Sequence, residues 1–249
     1  MHVAPLQRVD GIDVKSVLAL LQFCTSLPLG KPVDFEHFAH RSYLYPLAGY
    51  VIGGIAAGIT YWIASPPVGA AVALATALLL SGCNHFDGLL DFGDGLMAHG
   101  SREKRIAAMT DRTTGAGAVA AGIIVTLLAF AGLQTAANLP ATILIAEVCA
   151  KVAMSWLTTL GTPFREGIHS YLHGFAKPWF LVPTFLLALP LFLLPVPQVT
   201  IALALAATAV IAALMLALAR RLFSGVNGDV VGAANEIVRA GIILLLVLP

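Results

Sequence analysis

Long uninterrupted apolar runs alternate along this chain with short polar connections, and the runs have the length of membrane-crossing helices. They occupy about 43–64, 68–83, 115–137, 141–161, 179–195 and 199–219. A helix rising 1.5 Å per residue needs about 20 apolar residues to cross the hydrocarbon core. The run at 68–83 is short, and its helix is expected to continue through the polar stretch that follows. A still shorter run at 16–29 fits a tilted crossing or a re-entrant segment, and 237–249 reads as the end of a final helix beginning near Asp229. The expected architecture is all-α. It is one integral membrane domain over 1–249, a polytopic bundle of about seven helices (six to eight).

The connections are of two kinds. Ser65-Pro66-Pro67, Asn138-Leu139-Pro140 and Pro195-Val196-Pro197-Gln198 are short and uncharged, whereas 31–41, 84–114, 162–178 and 220–239 hold nearly all the charge. Threading the crossings in order puts every charged connection on one side. The positive-inside rule makes that side cytoplasmic, so the polar site is expected to face the cytoplasm.

Composition sharpens this picture. Only 11% of residues are charged and 59% are hydrophobic, against about 25% charged in soluble domains. The net charge of +1 and the absence of a basic stripe leave no footprint for a nucleic acid. Membrane lipid is the expected surrounding, and a homo-oligomer is compatible with the sequence. Cys24, Cys83 and Cys149 lack CxxC spacing and read as small buried hydrophobes. The first fifteen residues are polar and contain Asp10 and Asp13, which argues against a cleaved signal peptide.

The chemistry gathers in a few polar segments. In His85-Phe86-Asp87-Gly88-Leu89-Leu90-Asp91-Phe92-Gly93-Asp94-Gly95, three carboxylates stand at i, i+4 and i+7. On a helix they fall within roughly 60° of one another and span about 10 Å along the axis. Carboxylates stacked on one face repel unless a cation or a proton lies among them. Oxygen donors beside phosphate suit Mg²⁺ or Mn²⁺. The flanking Gly88, Gly93 and Gly95 are poor helix formers and allow a ligand or second backbone to approach. A solvated helix end is the bland alternative.

A second acidic helix start, Gly228-Asp229-Val230-Val231-Gly232-Ala233-Ala234-Asn235-Glu236, puts Asp229, Gly232 and Glu236 on one face. Small residues between them permit close helix packing. Asp229 alone also reads as a dipole-favoured first-turn residue. In Asp111-Arg112-Thr113-Thr114-Gly115-Ala116-Gly117, backbone N–H groups at a helix start can hold phosphate, or Asp111 can serve as an N-cap. Arg102, Lys104 and Arg105 either neutralise phosphate or anchor the cytoplasmic face. His85 is either a proton-transfer or metal-shell group or a plain polar contact. Glu147 and Lys151, at i and i+4 in mid-membrane, read as an intrahelical ion pair.

These segments resemble the cobalamin (5′-phosphate) synthase family, also called adenosylcobinamide-GDP ribazoletransferase. The pieces that match are His85-x-Asp87-Gly88-Leu89-x-Asp91-x-x-Asp94-Gly95, Asp111-x-x-x-Gly115-Ala116 and Gly228-Asp229-x-x-Gly232-Ala233-x-Asn235-Glu236. Phe23-x-Thr25-x-Leu27-Pro28 and Tyr45-Pro46-Leu47-x-Gly49 resemble its N-terminal signatures, so the likeness covers about 16–245. Thr110, Gly117 and Asn227 depart from the family's pattern.

The resemblance implies a late step of cobalamin assembly. The adenosylcobinamide-phosphate group of adenosylcobinamide-GDP passes to α-ribazole or its 5′-phosphate, and GMP is released with the help of Mg²⁺. On that reading Asp87, Asp91, Asp94, Asp229 and Glu236 hold metal. Asp94 activates the hydroxyl, with Asp91 and His85 as further catalytic candidates. Arg102, Lys104, Arg105, Asp111, Arg112, Gly115 and Asn235 meet phosphate or substrate.

Two other functions share some of these features. A CDP-alcohol phosphotransferase performs similar chemistry, but Leu90-Asp91 stand where its Ala-Arg would be and the spacing fails. A cation-coupled transporter would use carboxylates across the midplane, whereas these gather at one face.

Overall fold

The computed structural model describes residues 13–248. Asp10 and most of the segment that argues against a signal peptide lie outside them. Among the described residues the regular structure is helical, apart from a single parallel bridge between Pro163 and Val226. The helices are α1 (Val14–Cys24), α2 (Glu36–Ala39), α3 (Tyr45–Thr60), α4 (Pro66–Leu80), α5 (Asn84–Met97) and α6 (Arg102–Met109). They are followed by α7 (Ala116–Thr135), α8 (Leu139–Leu160), α9 (Ile168–Phe175), α10 (Leu181–Ala188), α11 (Gln198–Phe223) and α12 (Gly228–Val247). Helices α3, α7, α8, α11 and α12 are long and apolar enough to cross a membrane. Among the described residues, up to seven crossings result if the bent pairs α4–α5 and α9–α10 each count as one. The polytopic helical bundle expected from the apolar runs is the fold found.

Sequence-local chemistry sets the boundaries. Asn138 caps α8 by accepting the Ala141 N–H at 3.1 Å, and Asn227 caps α12 by accepting the Val230 N–H at 3.1 Å. Prolines at the first turns of α4 and α8 occupy positions whose N–H has no helical partner. Helix α8 forms the centre of the bundle: 83% of its apolar window is buried, against 28% for α7. The exposed Ile123, Leu127, Val210 and Leu214 on α7 and α11 present a lipid-like face.

The structure departs from the sequence reading at one element and adds detail at another. The helix of run 68–83 does not continue straight. Gly82 and Cys83 both adopt left-handed backbone angles (φ 61° and 58°), and α5 leaves α4 at 93°. Cys83 is therefore an exposed turn residue, while Cys24 and Cys149 are buried as expected. The added detail concerns α1, whose shortness matches the short apolar run at 16–29. Its 11 residues reach only about 16 Å, roughly half the hydrocarbon thickness. Beyond it the chain docks on the end of α4, where Ser26 bonds the Leu79 and Leu80 carbonyls.

The bend at 82–83 positions the site. Turned crosswise, α5 packs over the N-terminal ends of α12 and α7 and meets the C-terminal end of α11. Two uncharged turns meet near Gly69, which lies beside Ile63 and Leu139.

Candidate active site

Helix α5 has two chemically different faces. His85, Gly88, Leu89 and Phe92 are buried against the bundle, while Asp87, Leu90, Asp91 and Asp94 face a cavity of about 330 Å³. Asp229, in the first turn of α12, closes one side. The 109–114 segment with Asp111 and Arg112, Ala118 of α7, and Arg165 from the loop after α8 complete the lining. Five carboxylates and two guanidinium groups thus share one polar cavity.

The carboxylates differ in how they are held. Asp94 is fixed on both oxygens: Oδ2 accepts the Gly115 N–H at 2.7 Å and Oδ1 the Ala118 N–H at 2.8 Å. It thereby satisfies donors at the start of α7, where Gly115 has no side chain to do so. A Cβ at position 115 would stand 2.5 Å from Asp94 Oδ1. Asp229 Oδ2 accepts from Asn227 Nδ2 at 2.6 Å. Among the described residues Asp87 and Asp91 accept no hydrogen bond from protein. Asp111 accepts from the Thr113 N–H at 2.9 Å and its hydroxyl at 2.8 Å. These bonds, the backbone one first, hold its carboxyl below the usual aspartate range.

An all-oxygen donor set suits a hard divalent cation. Among the described residues no three His, Cys, Asp or Glu side chains are drawn closely enough together to hold an ion by themselves. That geometry fits an ion held by one or two carboxylates and completed by substrate oxygens and water, the usual habit of Mg²⁺ at phosphate sites.

Of the residues singled out from sequence, Asp87, Asp91, Asp94, Asp111, Arg112 and Asp229 line this cavity, whereas Gly115 is outside the lining and gives its N–H to Asp94. The others lie elsewhere. Glu236 is buried and paired with Arg239, which also holds Glu147 Oε1 at 2.9 Å. Asn235 accepts from Lys151 Nζ at 2.6 Å and donates to Glu236 Oε1 at 3.0 Å. Both follow Asp229 along α12 into the apolar interior, so they serve the α8–α12 contact and do not reach the cavity. Glu147 and Lys151 accordingly pair across to α12 instead of with each other, because two charges buried there need partners of their own.

His85 is buried on the opposite face of α5, with Nδ1 unpartnered, and is not in the cavity lining. Arg105 donates to the carbonyls of Leu96 (2.7 Å) and Gly95 (3.3 Å), capping α5 instead of meeting phosphate. Arg102 and Lys104 are exposed on α6, outside the lining. Asp111 caps its own turn and not α7, and the Gly115 N–H expected for phosphate belongs to Asp94.

Arg165 is the lining residue that local sequence does not single out. It is one of several charges in the 162–178 connection, and no local pattern shows that this loop folds back onto the acidic helices.

A family profile described as cobalamin-5-phosphate synthase matches residues 16–247. The chain belongs to the cobalamin-5-phosphate synthase family. An adenosylcobinamide-GDP ribazoletransferase of Methanocella arvoryzae is 35% identical over 92% of this chain and 94% of its own. One from Halorubrum lacusprofundi is 36% identical over 88% and 91%, and one from Deinococcus radiodurans 34% over 88% and 81%. No solved structure matches the chain. For this cobalamin-5-phosphate synthase family member, the matched region takes in every residue of the cavity lining.

Proposed function

We infer that this chain is an adenosylcobinamide-GDP ribazoletransferase and that the reaction runs in the cavity between α5, α7 and α12. Family membership and the names of the relatives support the activity. The adenosylcobinamide-phosphate group passes to a hydroxyl of α-ribazole, or of its 5′-phosphate, and GMP leaves.

One observation supports the location and the cofactor together. The cavity carries more carboxylates than guanidinium groups, so a pyrophosphate can enter it only with a cation between the like charges. Mg²⁺, when bound, supplies charge neutralisation at the pyrophosphate oxygens and at the departing GMP. Asp87 and Asp91, free of protein partners, would hold it, with Asp229 beside them. Asp94 is a fixed member of the ladder rather than the hydroxyl-activating group expected from sequence, because both its oxygens are committed to α7. Among the described residues none donates a hydrogen bond to Asp229 Oδ1, and it is the acceptor we assign to the hydroxyl proton.

The charged end of the bundle faces the cytoplasm of a prokaryotic cell membrane on this reading, since the positive-inside rule applies to its Lys and Arg. The test is GMP release from adenosylcobinamide-GDP by detergent-purified protein, with either ribazole form, with and without Mg²⁺. Release that requires both ribazole and metal is expected. Folded, monodisperse protein that releases no GMP would overturn the assignment.

A further inference from the structure

We propose that Arg165 is the anion clamp of this cavity, gripping the pyrophosphate of the nucleotide-bearing substrate opposite the Asp87–Asp91 carboxylates. The proposal rests on the cavity being the transferase site.

Three observations carry it. Arg165 lines the cavity together with Asp91 and Asp229 and lies near enough for its charge to act on both. Yet among the described residues it has no carboxylate within 4.0 Å and donates no hydrogen bond. A guanidinium set among carboxylates and bonded to none of them keeps all its N–H donors for a ligand.

The second observation is the loop that carries it. Val226 N–H donates to the Thr162 carbonyl at 2.9 Å, and Phe164 N–H to the Val226 carbonyl at 3.4 Å, forming the Pro163–Val226 bridge. His169 Nε2 bonds the Gly161 carbonyl at 2.8 Å, and Arg220 Nη2 donates to the Leu160 carbonyl at 3.0 Å. Arg165 thus leaves a backbone pinned on both sides. The strand of chain it is pinned to runs directly into Asn227 and Asp229.

The third is chemical. The other lining guanidinium, Arg112, belongs to the exposed 110–114 rim beside Asp111. Arg165 alone is positioned by the same junction as Asp229. A planar fork that meets two phosphate oxygens at once distinguishes Arg from Lys here. The clamp is assigned to the diphosphate of adenosylcobinamide-GDP, and α-ribazole, which carries no phosphate, offers it nothing to grip.

The experiment compares wild type with Arg165→Ala, Arg165→Lys and Arg220→Gln in detergent. GDP binding in Mg²⁺ is measured by calorimetry, and KM is measured for each substrate. Losing charged hydrogen bonds should weaken GDP binding and raise KM for adenosylcobinamide-GDP by about tenfold or more in Arg165→Ala. Arg165→Lys should recover part of that loss, and KM for α-ribazole should stay near wild type. Arg220→Gln, which loosens the same loop without removing the fork, should weaken GDP binding far less than Arg165→Ala does. Unaltered GDP binding in Arg165→Ala would overturn the clamp, whether or not wild type releases GMP. Equal rises in both KM values, matched by Arg220→Gln, would overturn it too, because they mark a loop-packing role. Wild type that binds GDP through Arg165 but releases no GMP would refute the transferase reading and keep the clamp.

Discussion

Gly88 lies directly against Asp229: a Cβ at position 88 would stand 2.9 Å from the Asp229 carbonyl oxygen and 3.1 Å from its Cα. Gly232 returns the contact, its Cβ position falling 3.2 Å from both Cα and carbonyl oxygen of His85. The two acidic segments, far apart in sequence, meet glycine on glycine. That crossing is what brings Asp229 to the cavity holding Asp87 and Asp91.

The first prediction concerns this crossing. Gly88→Ala must push α5 off α12, because the obstruction is backbone and cannot swing aside. Overpacking of this kind costs about 1–3 kcal/mol. We expect a lower unfolding temperature in detergent and a loss of GMP release larger than the stability change explains. A Gly88→Ala variant with wild-type turnover would separate the crossing from catalysis.

Asp91→Asn should fold and insert normally but lose activity about a hundredfold or more, since a metal-holding carboxylate supplies several kcal/mol. Chelation of Mg²⁺ from wild type should have the same effect, reversed on adding the ion back. Normal turnover of Asp91→Asn at limiting Mg²⁺ would remove the metal reading.

The buried network predicts a different outcome on the same helix. Glu236→Gln should leave the Mg²⁺ concentration for half-maximal activity unchanged, because Glu236 faces Arg239 and not the cavity. Arg239→Met strips the partner from both Glu147 and Glu236 and should destabilise the protein by about 3–5 kcal/mol. Thermal unfolding and an Mg²⁺ titration of the two variants check both halves.

Asp94→Asn replaces one acceptor oxygen with a donor, so the Gly115 or the Ala118 N–H loses its partner. The capping loss is about 1 kcal/mol, and its effect falls on the start of α7. Limited proteolysis should cut the 110–114 segment faster in this variant than in Asp91→Asn. Equal cutting would show that Asp94 does not hold the rim.

The residue pattern alone was enough to specify the helical membrane fold, because apolar length is dictated by bilayer thickness and needs no tertiary information. It also determined the acidic face of α5, since the i, i+4, i+7 spacing places Asp87, Asp91 and Asp94 together whatever surrounds the helix. Tertiary structure decided what each polar residue meets. Glu236 lies on the same face of α12 as Asp229, yet two turns deeper it is surrounded by Arg239 and the end of the Asn235–Lys151 pair. Helical periodicity fixes direction around an axis but not depth along it relative to a neighbouring helix. The 93° turn at Gly82-Cys83 and the return of the Arg165 loop to Val226 were equally invisible. Both depend on backbone angles and on hydrogen bonds between segments remote in sequence, which no local pattern encodes.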